Sequence, residues 1–245
     1  MISQLRKYYR SKGILPQDFH CKHYKDCKRG NPNFTKAKAS FIGTEYEKAT
    51  LPRLLIISLD PGNSPKLKKK RSIRGVRKTN ENMDVSSLPK NRHWYRTHET
   101  AWILLHKIFK DTYGKEINVE DITPYFAHLN TCKCCVHNPG HKQANVRLFK
   151  NCREYIPREV EILNPDIIVT QGKLASKSIE DEFEVVKPSR GDIKDYPCTY
   201  EVLRINWKKV FVFHTHHPSN YGTFYNQKKN CFGKFANVIR NEYTF

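Results

Sequence analysis

Three polar residues each follow a short apolar run in this 245-residue chain: Asp60 in "SLDPG", Asn130 in "HLNTCKC" and His217 in "VFVFHTHHPS". A carboxylate can orient and activate a water, an amide offers a donor and an acceptor on one plane, and an imidazole can donate to a developing anion. Taken singly each has an ordinary explanation, because Asp-Pro-Gly, Asn after a strand and His-Pro-Ser are all common turn chemistry. Eight cysteines form a second set. In a reducing compartment they serve as metal ligands, catalytic groups or plain thiols rather than disulfides. The opening "MISQLRKYYRSKG" has no apolar run of the kind a secretory signal needs, so a cytosolic protein is expected.

The elements that must position these residues are legible from the pattern of apolar runs. "LLIISL" from Leu54 and "YFAHLN" up to Asn130 read as buried strands, and "HETAWILLHKIFKDT" has the spacing of an amphipathic helix. "NCREYIPREVEILNPDIIVTQG" reads as a helix ended by Asn164-Pro165 and followed by a strand; strands near 199–205 and 210–214 and a helix around 228–241 complete the chain. A helix from about Lys173 is also expected. Alternating strands and helices predict one domain over residues 1–245, a three-layer α/β/α sandwich with a mostly parallel central sheet. In such folds sites gather at the carboxyl ends of the strands, where Asp60, Asn130 and His217 fall. Residues 1–48 show little periodicity and read as an arm needing a metal anchor, and residues 64–92 as a long basic loop.

With 44 Lys and Arg against 24 Asp and Glu, the net charge of +20 points to a polyanionic partner, nucleic acid above all. No stretch approaches the roughly 20 apolar residues of a spanning helix, so no membrane partner is expected, and a monomer is the simplest assembly. "SPKLKKKRSIRGVRK", directly after the Asp60 turn, places Lys68, Lys69, Lys70, Arg71 and Arg74 where they could grip phosphates, although a solvated charge run is the plainer alternative.

In this order, "SLDPG", "HLNTCKC" and "VFVFHTHHPS" resemble the motifs of the uracil-DNA glycosylase superfamily. The Asn-x-x-Lys-Cys run at Asn130 and the Cys152 helix "CREYIPREVEILNPDIIVTQG" are similar to its iron-sulfur (family 4-like) branch. The resemblance implies a monofunctional hydrolase that breaks the N-glycosidic bond of uracil or a related deaminated base in single- or double-stranded DNA, leaving an abasic site for base-excision repair. No lysine nucleophile is among the matched residues. It implies that Asp60 activates the water and that His217, with His216 as a weaker substitute, stabilises the departing base. Asn130 would read the base and Ser219 line its site, with Trp94, or Tyr95 as second choice, stacking on it and Tyr221 filling the gap it leaves. Two departures stand out: Leu59 holds the position where the iron-sulfur branch places its acid, and Gly62 replaces the tyrosine that excludes thymine in the principal branch.

By the same resemblance Cys21, Cys27, Cys134 and Cys152 ligate a 4Fe-4S cluster, with a structural zinc as the alternative, since both use four thiolates. Cys132 or Cys135 could replace Cys134, and Cys198 and Cys231 are expected to be ordinary thiols. Two other functions stay open: a catalytically inactive nucleic-acid-binding protein on the same fold, and a zinc nuclease. Against the nuclease, His137 and His141 enclose Pro139-Gly140 and cannot form a helical ligand pair.

Overall fold

The computed structural model describes residues 1–30, 34–61, 70–136, 146–180, 182–188, 198 and 200–242. Gly62, Lys68 and Lys69 lie outside these described residues, as does the His137 to His141 spacing. In chain order the N-terminal third forms α1 (Ile2–Ser11), β1 (Ile14–Leu15), β2 (Asp18–Phe19), α2 (Tyr24–Lys28), β3 (Phe34–Thr35), β4 (Phe41–Ile42) and α3 (Thr44–Lys48). The middle follows with β5 (Leu54–Ser58), α4 (Ile73–Glu81), α5 (His93–Tyr113), β6 (Phe126–Asn130) and β7 (Cys135–Val136). The remainder is α6 (Val146–Cys152), α7 (Ile156–Leu163), β8 (Ile167–Gln171), α8 (Lys173–Lys177), β9 (Glu184–Lys187), β10 (Glu201–Ile205), β11 (Lys208–Thr215), α9 (Tyr221–Gln227) and α10 (Gly233–Glu242).

Seven strands make the central sheet in the order β4-β6-β5-β8-β11-β10-β9. Its inner four, β6, β5, β8 and β11, run parallel, and antiparallel strands close both edges. All residues of β5, β6 and β8 are buried, which explains their continuous Val, Ile and Leu runs: a parallel strand covered on both faces has no solvent side to alternate toward. One face carries Leu55, Ile57, Ala127 and Ile168 under α1 and α7; the other carries Leu54, Ile56, Phe126 and Val169 under α5 and α10.

Four expectations need correction. The 1–48 segment has regular structure of its own, since α1 buries Leu5, Tyr8 and Tyr9 at helical spacing and β4 pairs with β6 at the sheet edge. Within the expected 64–92 loop, residues 73–81 are helix α4, capped by the Ser72 hydroxyl, which accepts from the Gly75 N–H, and buried through Ile73 and Val76. Cys198 and Cys231 are not separate thiols but a disulfide, with Cα atoms 4.8 Å apart. The C-terminal helical run also begins earlier than expected, at Tyr221, and passes through a π-helical turn at Lys228–Phe232 before α10.

Candidate active site

Asn130 ends β6 opposite Ser58 at the end of β5, and the ladder continues as Thr131 N–H and Cys132 N–H donate to the carbonyls of Ser58 and Leu59 at 2.9 Å each. Asp60 follows directly. Two strands farther along the sheet, β11 ends at Thr215 and the chain turns through His216 to His217. Between them, β8 ends at Gln171 and Gly172. Strands about 4.8 Å apart therefore bring Asn130, Asp60, Gly172 and His217 to one end of the sheet in that lateral order. Gly172 has φ 101° and ψ 158°, a region that is essentially glycine's own. A Cβ there would lie 3.2 Å from the His217 Cβ and 3.7 Å from Leu59 Cδ2, so the bare glycine lets the Asp60 and His217 turns close on each other.

His217 is fixed in one neutral tautomer. Its Nδ1 accepts from the Ser219 backbone N–H at 3.2 Å and lies 2.5 Å from the Ser219 hydroxyl, which leaves the proton on Nε2 as an outward donor. Burial lowers its pKa from the ordinary histidine value. The His93 ring stacks on it, with centroids 5.0 Å apart and planes 4° from parallel. His93 itself is pushed down to about 3, first by burial and then by His217 beside it, so both rings are neutral near pH 7. The pair offers a hydrogen-bond donor without a mobile charge.

Below them a polar network fills the sheet face under the first turns of α5. His128 Nε2 lies 2.9 Å from the Ser58 hydroxyl, which donates to Gln171 Oε1 at 2.6 Å, and Thr97 Oγ1 approaches the same oxygen at 3.2 Å. The Asn130 side chain is 5% exposed, and its amide makes no hydrogen bond to another described residue. Burial holds His128 well below the usual histidine value. Burial raises the thiols of Cys132 and Cys135 in pKa, and the charge of Asp60 adds to it.

Trp94 sits in the first turn of α5, partly buried, its ring edge-on to His128 at 4.8 Å and His98 at 5.0 Å; Tyr95 is buried. Tyr221 begins α9, 63% exposed, with the Arg96 guanidinium 4.7 Å from its ring and Tyr225 stacked beside it. Arg96, buried, donates to the Pro218 carbonyl and so ties α5 to the His217 turn. Lys70 and Arg74 are exposed, whereas Arg71 is 6% exposed and donates to the Lys36 carbonyl at 2.9 Å and to the Cys135 sulfur, so its guanidinium is largely engaged within the protein. His93, Gln171, Ser58, Thr97 and Arg96 escaped the sequence reading. Only Gln171-Gly172 carried a usable signal, as a polar pair at the carboxyl end of a buried strand.

Cys21, Cys27, Cys134 and Cys152 line one small enclosed cavity, together with the apolar Ile14 and Phe19. Cys132 and Cys135 are not among its lining residues. Burial pushes up the thiols of Cys27, Cys134 and Cys152, the last to about 11, so as bare thiols they stay protonated. Among the described residues no three His, Cys, Asp or Glu side chains converge as a single ion requires. The lining mixes apolar Ile14, Phe19 and Phe34 with polar His23, Lys133 and Asn151, and four thiolates on one cavity suit a multi-atom cluster as a donor set. Beside this cavity, Lys133 and Glu159 form a buried ion pair, with Ser40 donating to Glu159 at 2.5 Å and Tyr9 also bonded to it. These are the Lys and Glu of the two motifs quoted for the iron-sulfur branch.

A 120-residue stretch is 29% identical to a "Type-4 uracil-DNA glycosylase" of Sulfurisphaera tokodaii, covering 47% of this chain and 48% of that protein, so the match spans about half of either. Residues 45–240 match the family described as the Uracil DNA glycosylase superfamily, an interval that runs from α3 through α10 and includes Asp60, Asn130 and His217. The chain belongs to the uracil DNA glycosylase superfamily.

Proposed function

We propose that this protein is a DNA glycosylase that hydrolyses the N-glycosidic bond of uracil or a related deaminated base, leaving an abasic site. The observation that carries this is the gathering of Asp60, Asn130 and a neutral, outward-donating His217 at one end of the parallel sheet. Bond cleavage places positive charge on the sugar and negative charge on the leaving base. The Asp60 carboxylate favours the cationic sugar and orients a water toward C1′. On the other side His217 Nε2–H donates to the base carbonyl, and Ser219 keeps that proton on Nε2 throughout. Asn130, whose amide makes no hydrogen bond to another described residue, reads the donor and acceptor edge of an extruded base. Trp94 borders the base and Tyr221 stands exposed to fill the gap in the helix.

The cavity of Cys21, Cys27, Cys134 and Cys152 would hold a 4Fe-4S cluster, which supplies structural crosslinking rather than chemistry on DNA. Purified anaerobically, the protein should be brown and contain about four irons; a colourless protein with one zinc would assign the site to zinc instead.

Labelled oligonucleotides carrying uracil, hypoxanthine, xanthine or a thymine mismatch test the activity. Strand breakage at the lesion after alkali is expected, with Asp60→Ala and His217→Ala each keeping DNA binding while losing at least about 100-fold in excision, the usual size of a lost acid–base or oxyanion group. Full activity in Asp60→Ala would refute the mechanism.

A further inference from the structure

The strand that leads to His217 is longer than its neighbour on one side. β10 pairs with β11 from Ile205↔Lys208 to Glu201↔Val212, while β11 continues to Thr215. On the β8 side the ladder holds to the end, with the Gly172 N–H donating to the Thr215 carbonyl at 2.8 Å. Backbone groups alternate sides along a strand, so the His214 carbonyl and the His216 N–H face the other way, past the start of β10. Such groups at the buried edge of a sheet need partners.

One side chain takes both. Gln227, the last residue of α9 and 6% exposed, donates from Nε2 to the His214 carbonyl and accepts at Oε1 from the His216 N–H, each at 2.9 Å. Its planar amide makes the two bonds that one residue of a parallel strand would make. The point it grips on β11 is fixed independently: His214 Nδ1 lies 2.8 Å from Thr170 Oγ1 and 3.0 Å from Ser176 Oγ, and its Nε2 lies 2.8 Å from Glu201 Oε1. Beyond the turn, Arg96 donates to the Pro218 carbonyl, its guanidinium 4.7 Å from the Tyr221 ring. His217 thus stands between two clamps, Gln227 on His216 before it and Arg96 on Pro218 after it. The first clamp sits on the same short helix that begins at Tyr221.

Resting on the glycosylase reading, we propose that Gln227 is a positioning residue for the reaction: its amide sets the backbone at His216, and through it the direction in which His217 Nε2–H points. It acts through His216 rather than on the base or the sugar. Without the amide the turn loses its restraint on one side, so DNA still binds but the donor misses the base carbonyl. A side chain that only stabilised the fold would lower the unfolding temperature and leave the rate on bound DNA alone.

The test uses full-length protein in excess over a uracil oligonucleotide, so that the single-turnover rate at saturation is read apart from affinity. Gln227→Leu removes both bonds at nearly the same size, and should lose at least about 10-fold in that rate with affinity within about 3-fold. Asn226→Leu, exposed on the same helix, should keep both. Gln227→Glu adds a pH signature. When protonated, the carboxyl donates its O–H to the His214 carbonyl and accepts from the His216 N–H, as the amide does; when ionised, it sets a negative oxygen against that carbonyl. Its rate relative to the unaltered protein should therefore be highest at low pH and fall at least about 10-fold between about pH 5 and 8, burial having raised the pH at which the acid ionises. Equal saturating rates in Gln227→Leu and the unaltered protein would overturn the proposal. So would a rate ratio for Gln227→Glu that does not change with pH, a comparison that needs no folding of the leucine variant. Excision unmoved by either change would leave the glycosylase reading standing, whereas no excision by the unaltered protein from any lesion oligonucleotide would refute that reading and this proposal with it.

Discussion

At the scale of single residues, the site depends on a side chain that is missing. His217 can present Nε2–H only while Ser219 holds its Nδ1 and while the ring lies flat on His93, and both require the turn after β11 to sit hard against Gly172. Gly172→Ala brings two penalties: a backbone conformation that costs other residues about 1–3 kcal/mol, and a methyl 3.2 Å from the His217 Cβ, closer than packed atoms ordinarily come. The variant should unfold at lower temperature and lose at least about 10-fold in the rate of excision, since a displacement of under an ångström is enough to misalign a catalytic donor. Gly233→Ala is the matched control, because a Cβ there meets open space at the start of α10. Equal excision rates in the two variants would show that His217 does not owe its position to Gly172.

At the scale of elements, what could be read from the sequence follows from how local each signal is. β5, β6 and β8 were legible because strands buried on both faces need unbroken apolar runs. The helices α1 and α4 were hidden in plain view: Leu5, Tyr8 and Tyr9, and Ile73 and Val76 after the Ser72 cap, have helical spacing, but the Lys and Arg around them dominate the composition. Strand β4 and the Cys198–Cys231 disulfide had no local signature, since each arises from chain pairing fixed elsewhere. The Lys and Glu of the matched motifs could be quoted but not understood until the fold joined Lys133 to Glu159. Because α1 is docked by its own apolar face, the cysteine cavity should anchor only the β2–α2 stretch that carries Cys21 and Cys27. Cys27→Ser should therefore lower bound iron and speed limited proteolysis between about residues 18 and 30, while circular dichroism from the sheet stays unchanged. Global unfolding of the variant would return the cluster to the role of a fold-wide staple.

At the scale of the whole molecule, the surplus of 20 positive charges is not spread evenly. Arg6 and Arg10 on α1 and Arg74 on α4 line one depression, which adjoins a second lined by Lys36 and Phe34 through the shared residues Gln17 and Ser72. The three arginines and Lys36 are exposed, and none is in an ion pair with a described residue. The second depression also includes Arg71, which joins it to Cys135 and the Asp60 side of the site. A phosphate backbone lying in this path would release counterions for each charge it neutralises. If six phosphates are engaged, affinity should fall about 1,000-fold between 50 and 200 mM salt. Replacing Arg6, Arg10 and Arg74 together by Ala should flatten the slope of log affinity against log salt by about 2 to 3, the contribution of three phosphate contacts. Excision from DNA bound at saturation should be unaffected, since none of the three is at the sheet end that holds Asp60 and His217. A slope equal to that of the unaltered protein would move the DNA path off this face and onto the lysines of the basic stretch that follows Asp60.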